Sequence, residues 1–474
     1  MKTNHILTAA AMLLAATTAA TAQEAARSAY FLDGYSFRHE LNPAFSGENN
    51  YVSVPGLGNL DASLMSNVGV NTFLYKQPGT DKLTTFMSPT VGANQFLNKL
   101  QDNNRITSNV NVTVLSAGFK AFNGYNTISV SARADVGVSL PKGLFEFMKL
   151  GQQGESSTYD FSDLRVDANA VAQIALGHSR KIKNNIEVGG KLKFLLGLGH
   201  ADAKVDNMHV TLADDQWVVR ANGTANIAAG PYLRIPTYGR GHKAERPGQV
   251  GQVYWDGVDY DNFHMTGFGM AVDLGAVWHT PVDGLTVSGS VLDLGYMHWS
   301  WNRVLKTPDT EWTFDGFYDI ALDKDQPGYA ENKIDKQFNR MFDDLTDCIN
   351  FYDKTTDGKR NLALAATIHL GAEYQMPFYK KLTGGFLFTQ RIDGPFSWTE
   401  GRLSANYKPA KWFDCTINYG QSTYASSFGW MVNFHPRGFN FFLGSDHQFF
   451  KITPQVLPVG RANMNLNLGM NVTF

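Results

Sequence analysis

The sequence predicts an all-β protein: a transmembrane antiparallel up-and-down β-barrel of about fourteen strands, with a short N-terminal plug and helical insertions in the outer loops. Three observations predict this fold. Long runs alternate apolar and polar residues, the N-terminus has the pattern of a secretory signal, and the chain ends on the alternating stretch NMNLNLGMNVTF. Alternation with a period of two puts one set of side chains on each face of a strand.

Residues 1–22 are predicted to be a signal peptide. Lys2 supplies a positive charge, residues 6–20 are apolar and rich in alanine, and residues 20–22 read Ala-Thr-Ala, a small-residue cleavage site. An N-terminal helix of the folded domain is the alternative. A signal peptide on a chain of long alternating strands predicts a location in the cell outer membrane.

The strand pattern has the proportions of a membrane-spanning barrel. A tilted transmembrane strand needs about 9–11 residues, and many of these runs are that long. Short and long connections alternate along the chain, as do the periplasmic turns and outer loops of bacterial barrels. An even number of strands places both termini on the periplasmic side. The predicted strands are 60–75, 109–121, 126–140, 161–178, 185–199, 266–279, 285–299, 361–376, 383–391, 400–408, 413–420, 428–435, 438–445 and 460–474.

The connections between the predicted strands contain recognisable turns, one extra hairpin and two helices. The tight turns are predicted at Asn123-Gly124 and at residues 179–184, and residues 204–226 are predicted to form an extra hairpin above the membrane, with its turn at Asp214-Asp215. Helices are predicted near 142–150, after the helix-starting Pro141, and at 331–352, where apolar residues recur at helical intervals. The second helix is expected to cap the outer mouth or pack on a loop. A partner-binding helix is the alternative.

The inward faces of the predicted strands carry charges that nearly cancel. Balanced charges favour pairing inside the lumen over an ion-selective pore, whose rings have one sign. A soluble sandwich also shows alternation, so alternation alone is not decisive, and its combination with a signal peptide and a terminal Phe is more specific for a barrel. The predicted polar network of the lumen consists of Arg133, Asp135, Arg165, Asp167, Glu187, Lys191, Lys193, Asp273, His369 and Glu373.

The C-terminal strand has the two faces that a barrel wall requires. In hydrocarbon every backbone amide needs a partner inside the protein, and a closed barrel provides one by pairing its last strand with its first. The methionines, leucines and valine of residues 464–472 would face lipid, and the asparagines would face a wet lumen. Phe474 resembles the terminal aromatic residue that the barrel-assembly machinery of outer membranes recognises.

Residues 23–58 form the predicted plug, ahead of a barrel assigned to residues 59–474. Asn42-Pro43 forces a non-helical turn, and Ala44 and Gly47 allow a close approach of the backbone. Phe45, with Phe31 and Phe37, is expected to anchor the segment in an apolar hollow. A surface turn leading into the barrel is the alternative.

The stretch LNPAFSG, residues 41–47, resembles the N-terminal pattern of an uncharacterised family of Bacteroidota outer-membrane barrels, and the secretion-linked barrels among such proteins. The strands GFGMAVDLGAVW and VSGSVLDLGYMHW, residues 267–278 and 287–299, resemble paired Asp-Leu-Gly strands of that family. The Asn-Pro-Ala core is also similar to the hatch of long-chain fatty-acid transporters, which are fourteen-stranded barrels with a plugged lumen and a sideways exit. This resemblance implies a hatch role for Asn42, Pro43 and Ala44.

No enzyme, cofactor or metal site is predicted. The chain has neither a Gly-x-Ser-x-Gly elbow nor a phosphate-binding glycine-lysine loop. Asp273 and Asp293 look like a paired-carboxylate site, although hydrogen bonding in the lumen is the simpler explanation. Cys348 and Cys415 fit no zinc spacing, and the sequence leaves their pairing open. A net charge of −2 argues against a nucleic-acid partner.

Two functions remain open. The first is binding or passage of a small ligand, with an apolar ligand among the candidates, because a hatch-like segment precedes a lumen of balanced charge. The second is a non-transporting scaffold that anchors surface proteins or assists their secretion, since the outer excursions are large. The expected partners are outer-membrane lipid, the barrel-assembly machinery, and either the small ligand or secretion proteins.

Overall fold

The computed structural model describes residues 26–77, 79–80, 82–260, 262–321, 325, 328–447 and 463–474. Fourteen antiparallel strands form a closed barrel, in which each strand pairs with its neighbours in the chain and the last pairs with the first. The predicted fold class is therefore confirmed. The signal-peptide prediction for residues 1–22 lies outside the described residues.

We number the barrel strands β1–β14. Two of them are interrupted: β1 consists of Tyr51–Ser53 and Leu60–Ser66, and β8 of Arg360–Ala363 and Ala366–Gln375. The others are β2 Asn103–Ala121, β3 Gly124–Pro141, β4 Arg165–Lys183, β5 Ile186–Ala213, β6 Gly267–His279, β7 Leu285–Trp299, β9 Leu382–Ile392, β10 Trp398–Ala410, β11 Phe413–Ser422, β12 Ser426–Phe434, β13 Asn440–Ser445 and β14 Met464–Thr473.

The interruption of β1 changes two predicted boundaries. Tyr51–Ser53 already pairs with β14, so the wall begins before the predicted limit at residue 59. Residues 54–59 then form a turn in which Leu57 N donates to Val54 O at 3.0 Å, and Val54 N donates to Met470 O of β14 at 3.1 Å. The predicted strand 60–75 ends at Ser66, and Val70–Phe73 is a short helix. The alternation did not reveal that the strand stops and resumes.

Burial alternates along β14 as the sequence predicts. Asn467 and Asn471 are fully buried, whereas Met464 and Val472 are about half exposed on the outer surface. An apolar outer face and a hydrogen-bonding inner face suit a wall between lipid and a polar lumen. In the described part of the chain, none of the helices has the length and hydropathy of a membrane span.

One end of the barrel, the short-turn end, has tight connections, and the other, the loop end, carries the long ones. The first tight turn lies one residue earlier than predicted, because Phe122 and Asn123 adopt φ of 55° and 56° and Gly124 already starts β3. Two successive residues with positive φ match the right-handed twist of a hairpin. The predicted turn at 179–184 shrinks to residues 184–185, since β4 continues to Lys183.

The loop end carries a folded unit that we call the outer cap. Its sheet contains the end of β5 and the strands Ser156–Asp160, Trp217–Ala228, Asn302–Lys306 and Thr310–Phe314. The predicted extra hairpin is present, with its turn at residues 214–216. Helix Ile334–Ile349 packs on this sheet, where the Cys348 thiol is buried close to Val219 and Thr310. Cys348 and Cys415 are both free thiols.

The remaining elements are short. The helices are Val70–Phe73, Ala93–Leu97, Lys142–Leu150 and Tyr329–Asn332, and the 3-10 turns are Arg27–Ala29, Arg38–Glu40, Pro247–Gln249, Trp255–Gly257 and Gly394–Phe396. The minor strands are Leu74–Lys76, Leu83–Thr85, Leu233–Arg234, Thr237–Tyr238, Gly241–His242, Asp259–Tyr260 and Tyr352–Asp353.

Candidate functional site

The segment of residues 26–50, here called the luminal segment, lies inside the barrel and contacts strands on opposite sides of it. Its N-terminal end is held by Asp446, which accepts the backbone amides of Arg27 at 2.9 Å and Ser28 at 2.7 Å. The Arg27 guanidinium lies 3.4 Å from Glu400, and Arg402 binds that carboxylate with two hydrogen bonds. Buried charges are stable only when they are paired in this way.

The Asn-Pro-Ala turn of the luminal segment rests directly on the barrel wall. Asn42 accepts the backbone amide of Ala44 at 2.9 Å and donates to Gly289 O at 3.2 Å. The wall carries glycine at this contact, because a Cβ added at Gly275 would overlap Asn42 Oδ1 and one at Gly189 would overlap the Pro43 carbonyl. The side chain is absent so that the backbone can approach closely.

The aromatic residues of the luminal segment fill two hollows. Phe45 packs edge-on against Tyr30, with ring centroids 5.1 Å apart, and Phe31 belongs to the same buried cluster. Phe37 belongs to a second cluster on the opposite side. Gly47 lies near the short-turn end against Tyr125, where a Cβ would overlap the Tyr125 hydroxyl.

Below the middle of the barrel, charges from several strands form a buried layer. The Lys193 ammonium lies 2.8 Å from both Asp273 and Asp293, and Arg133 donates to both oxygens of Asp293 at 3.1 Å. Lys191 donates to His39 O of the luminal segment at 2.9 Å. This layer and the luminal segment are thus joined inside the lumen.

The loop-end half of the lumen contains a cavity of about 270 Å³, here called the outer cavity. Arg133 and Asp293 form part of its floor, which is thus the top of the charged layer. Charged and apolar side chains lie on different parts of its wall. The polar residues include Asp135, Arg165, Asp167, Asn169, His200, Asp202 and Arg391, and the apolar ones include Met297, Trp299, Leu362 and Phe396.

The sequence-predicted lumen residues therefore lie at three levels and do not form one site. Arg133, Asp135, Arg165 and Asp167 line the outer cavity. The charged layer holds Lys191, Lys193 and Asp273. Nearer the short-turn end, His369 is hydrogen-bonded to Thr389 at 3.0 Å, Glu373 is half-buried, and Glu187 lies 3.3 Å from His279.

Several residues of the site escaped the sequence analysis. The pairs His200 and Asp202, Arg391 and Asp393, and Glu400 and Arg402 each stand two positions apart on one strand or at its end. That spacing puts both members on one face, so the pattern was present as a signal. Asp446 had no such signal, because it follows β13 and contacts the luminal segment more than 400 positions away.

A family model described as a family of unknown function, DUF5723, matches residues 43–446. Among solved structures, the toluene transporter TbuX of Ralstonia pickettii is similar, with 9% identity over 92% of each chain and a TM-score of 0.41. A FadL homologue of Pseudomonas aeruginosa has 12% identity, covers 96% of this chain and 99% of its own, and gives a TM-score of 0.41. The toluene transporter TodX of Pseudomonas putida has 6% identity, covers 96% of this chain and 95% of its own, and gives a TM-score of 0.39. No curated protein matches the chain.

Proposed function

The chain belongs to the DUF5723 family of proteins of unknown function. Because the family leaves the function open, the proposal starts from the structure: we propose that the protein is an outer-membrane barrel that binds a small ligand in the outer cavity and passes it through the lumen. The observation that carries the proposal is the cavity of about 270 Å³ above a buried, non-covalently held luminal segment. An apolar outer face, fourteen strands and connections that are short at one end support the location in an outer membrane.

The luminal segment is assigned the role of a plug, with Asn42, Pro43, Ala44, Phe45 and Gly47 at its contact with the wall. Its attachments are hydrogen bonds, ion pairs and ring contacts, so it can shift without breaking a covalent bond. The wall glycines that accommodate it support a seat of defined shape. A plug in this position would separate the outer cavity from the periplasmic side until it moves.

The size and lining of the outer cavity restrict the kinds of ligand that it can bind. A volume of about 270 Å³ lies just under the usual range for drug-sized ligands, about 300–1,000 Å³. Charged side chains on one part of the wall and Met297, Trp299 and Phe396 on another favour a ligand with a polar group and an apolar body. This composition is less suited to a purely apolar ligand, which the sequence left among the candidates.

A reversible lock on the plug tests the proposal. Ser46 Oγ and Ser179 Oγ lie 3.1 Å apart, so the double variant Ser46→Cys/Ser179→Cys places two thiols where a disulfide can tie the plug to β4. In a background with Cys348→Ser and Cys415→Ser, solute uptake into liposomes is measured under oxidising and then reducing conditions. Uptake is expected to fall on oxidation and to recover on reduction, whereas Ser46→Cys alone gives no change.

Equal uptake with the disulfide formed, as verified by mass spectrometry of the bridged peptides, would show that passage does not require movement of the plug. Absence of uptake in every state, for neutral and charged solutes alike, would remove the transport function altogether.

A second candidate function, the scaffold for secretion or anchoring of surface proteins, is favoured by one feature of the outer cap. Ile334, Phe338 and Phe342 recur every four residues on the cap helix and are 41%, 44% and 55% exposed. Crosslinking in native membranes separates the two functions. A stoichiometric partner that is lost in Phe338→Ser and Phe342→Ser favours the scaffold, and the absence of any partner removes it.

A further inference from the structure

Two acidic side chains of the outer cavity form no ion pair with any described residue. Asp135 on β3 and Asp167 on β4 both accept hydrogen bonds from Asn169 Nδ2, at 3.0 and 2.5 Å. The other acids at the cavity are paired: Asp293 with Arg133, Asp202 with Arg360, and Asp393 with Arg391. Among the described residues, neither Asp135 nor Asp167 has a Lys or Arg nitrogen within 4.0 Å.

A second, independent feature lies beside these carboxylates. A small cavity of about 20 Å³ is lined by Asp135, Asp167, Thr107 and Asn109, and also by the ion pair of Arg391 and Asp393. Thr107 and Asn109 are only 8% and 7% exposed, yet Thr107 Oγ1 and Asn109 Oδ1 have no hydrogen-bond partner. Buried polar atoms are almost always satisfied, so a group that is not part of the chain is expected here. About 10–15 Å³ is enough for one water-sized group.

The orientation of Asn169 determines which chemistry fits the small cavity. His200 Nδ1 is hydrogen-bonded to Asn169 Oδ1 at 2.7 Å, which directs the amide NH₂ towards the two carboxylates. Arg391 also lines the small cavity but is paired with Asp393, and the other polar groups there are acceptors, namely the carboxylate oxygens and Asn109 Oδ1, together with the Thr107 hydroxyl. Two carboxylates so close repel each other unless a proton or a cation neutralises them. The best occupant is therefore a compact cation with several N–H donors.

A primary ammonium group has these properties, because it is about the size of water and carries three donors and no acceptor. No three His, Cys, Asp or Glu side chains within the described residues are arranged to hold a metal ion. Phe396 lines both cavities, and Trp299 lies on the wall of the larger one, so an apolar group attached to the ammonium would find a place there.

We propose that the ligand of the outer cavity is an amphipathic primary amine, whose ammonium enters the small cavity between Asp135 and Asp167 while its apolar body lies against Trp299 and Phe396. This inference rests on the proposed function and names the ligand class of that same site. A carboxylate group placed between Asp135 and Asp167 would be repelled by both, and a neutral apolar ligand leaves Thr107 and Asn109 unsatisfied.

Binding is tested on the full chain purified in detergent, by calorimetry and tryptophan fluorescence, with benzylamine, benzyl alcohol, benzoate and ammonium chloride as probes. Benzylamine is expected to bind at least tenfold more tightly than each of the others. Asp135→Asn and Asp167→Asn keep the side-chain shape and are expected to reduce benzylamine affinity at least tenfold, and Thr107→Val severalfold. The matched control is Asp215→Asn, because Asp215 is exposed at the hairpin tip and lines neither cavity.

Equal affinity for benzyl alcohol and benzylamine would overturn the proposal, and so would unchanged benzylamine affinity in the folded Asp135→Asn variant. Equal affinity for ammonium chloride would assign the cavity to an inorganic cation and would likewise overturn it. Circular dichroism establishes that each variant is folded, and Thr107→Val gives an independent measurement if an aspartate variant is not. Because binding is measured without passage, uptake of neutral solutes with no amine binding would contradict this inference alone.

Discussion

The backbone amide of Asp293 donates a 2.8 Å hydrogen bond to the carboxylate of Asp273 on the neighbouring strand. The contact exists because β6 and β7 shift register between Val272 and Leu274, and Asp293 adopts φ of 58°. Aspartate tolerates the left-handed region better than most residues. The irregularity turns both carboxylates towards Lys193, so a local backbone feature builds the charged layer that forms the floor of the outer cavity.

Asp293→Ala is predicted to destabilise the barrel. The change leaves Arg133 and Lys193 without their shared carboxylate, and breaking a buried ion pair costs about 3–5 kcal/mol. The free energy of unfolding in detergent, measured with guanidinium, is expected to fall by that amount. Asp293→Asn removes the charge but keeps a residue type that tolerates the positive φ of this position. Comparing it with Asp293→Ala therefore separates the effect of the lost charge from that of backbone strain. The control is Asp283→Ala in an exposed turn; an equal effect there would contradict a special role for Asp293.

The positions of most strands could be predicted because period-two alternation survives wherever one face meets lipid and the other a polar lumen. For β7 the predicted 285–299 coincides with the observed Leu285–Trp299. The start of the wall could not be predicted, because residues 54–59 interrupt β1 and only pairing with β14 shows that Tyr51–Ser53 belongs to the barrel. Alternation indicates a face and contains no information about pairing across a break.

The same limit applies to the candidate site. Alternation predicts that Arg133 and Asp167 face inward, but it gives neither the height of each residue in the barrel nor its partner across the lumen. Arg133 pairs with Asp293 on a strand 160 positions away, whereas Asp167 shares Asn169 with Asp135. Such partners are set by barrel closure and by the register of distant strands, which one sequence does not reveal.

Gly275→Ala is predicted to displace the luminal segment. The added methyl group would overlap Asn42 Oδ1, so the Asn-Pro-Ala turn must leave its seat on the wall. We expect larger conductance in planar bilayers and faster proteolysis within residues 26–50. Gly289→Ala is the matched control on β7, since its Cβ would meet Leu370 at an ordinary 3.4 Å. Identical behaviour of the two variants would argue against a seat at Gly275.

Arg27→Ala is predicted to release the N-terminal end of the luminal segment. Arg27 is 3% exposed and lies between Glu400 and Asp446, so its loss is expected to weaken this end by about 3 kcal/mol or more. Each 1.4 kcal/mol is tenfold in population, so cleavage by an added protease should accelerate roughly a hundredfold. Lys408→Ala removes the exposed ion pair with Glu48 and is expected to change the rate little. Protection of residues 26–50 in Arg27→Ala would refute the anchor.

Phe474→Ala is predicted to impair assembly without changing the stability of the folded barrel. The Phe474 side chain is 72% exposed beyond the end of β14, and its backbone amide donates to Asn50 O, a bond that alanine keeps. Exposed substitutions of this kind usually alter stability by less than about 0.5 kcal/mol. Refolded variant and wild type should therefore unfold alike, whereas the amount inserted into the outer membrane of cells should fall severalfold. Phe122→Ala, an exposed aromatic at the same end, provides the control. Equal losses of insertion in both variants would mean that interfacial aromatic character, rather than a terminal signal, drives assembly.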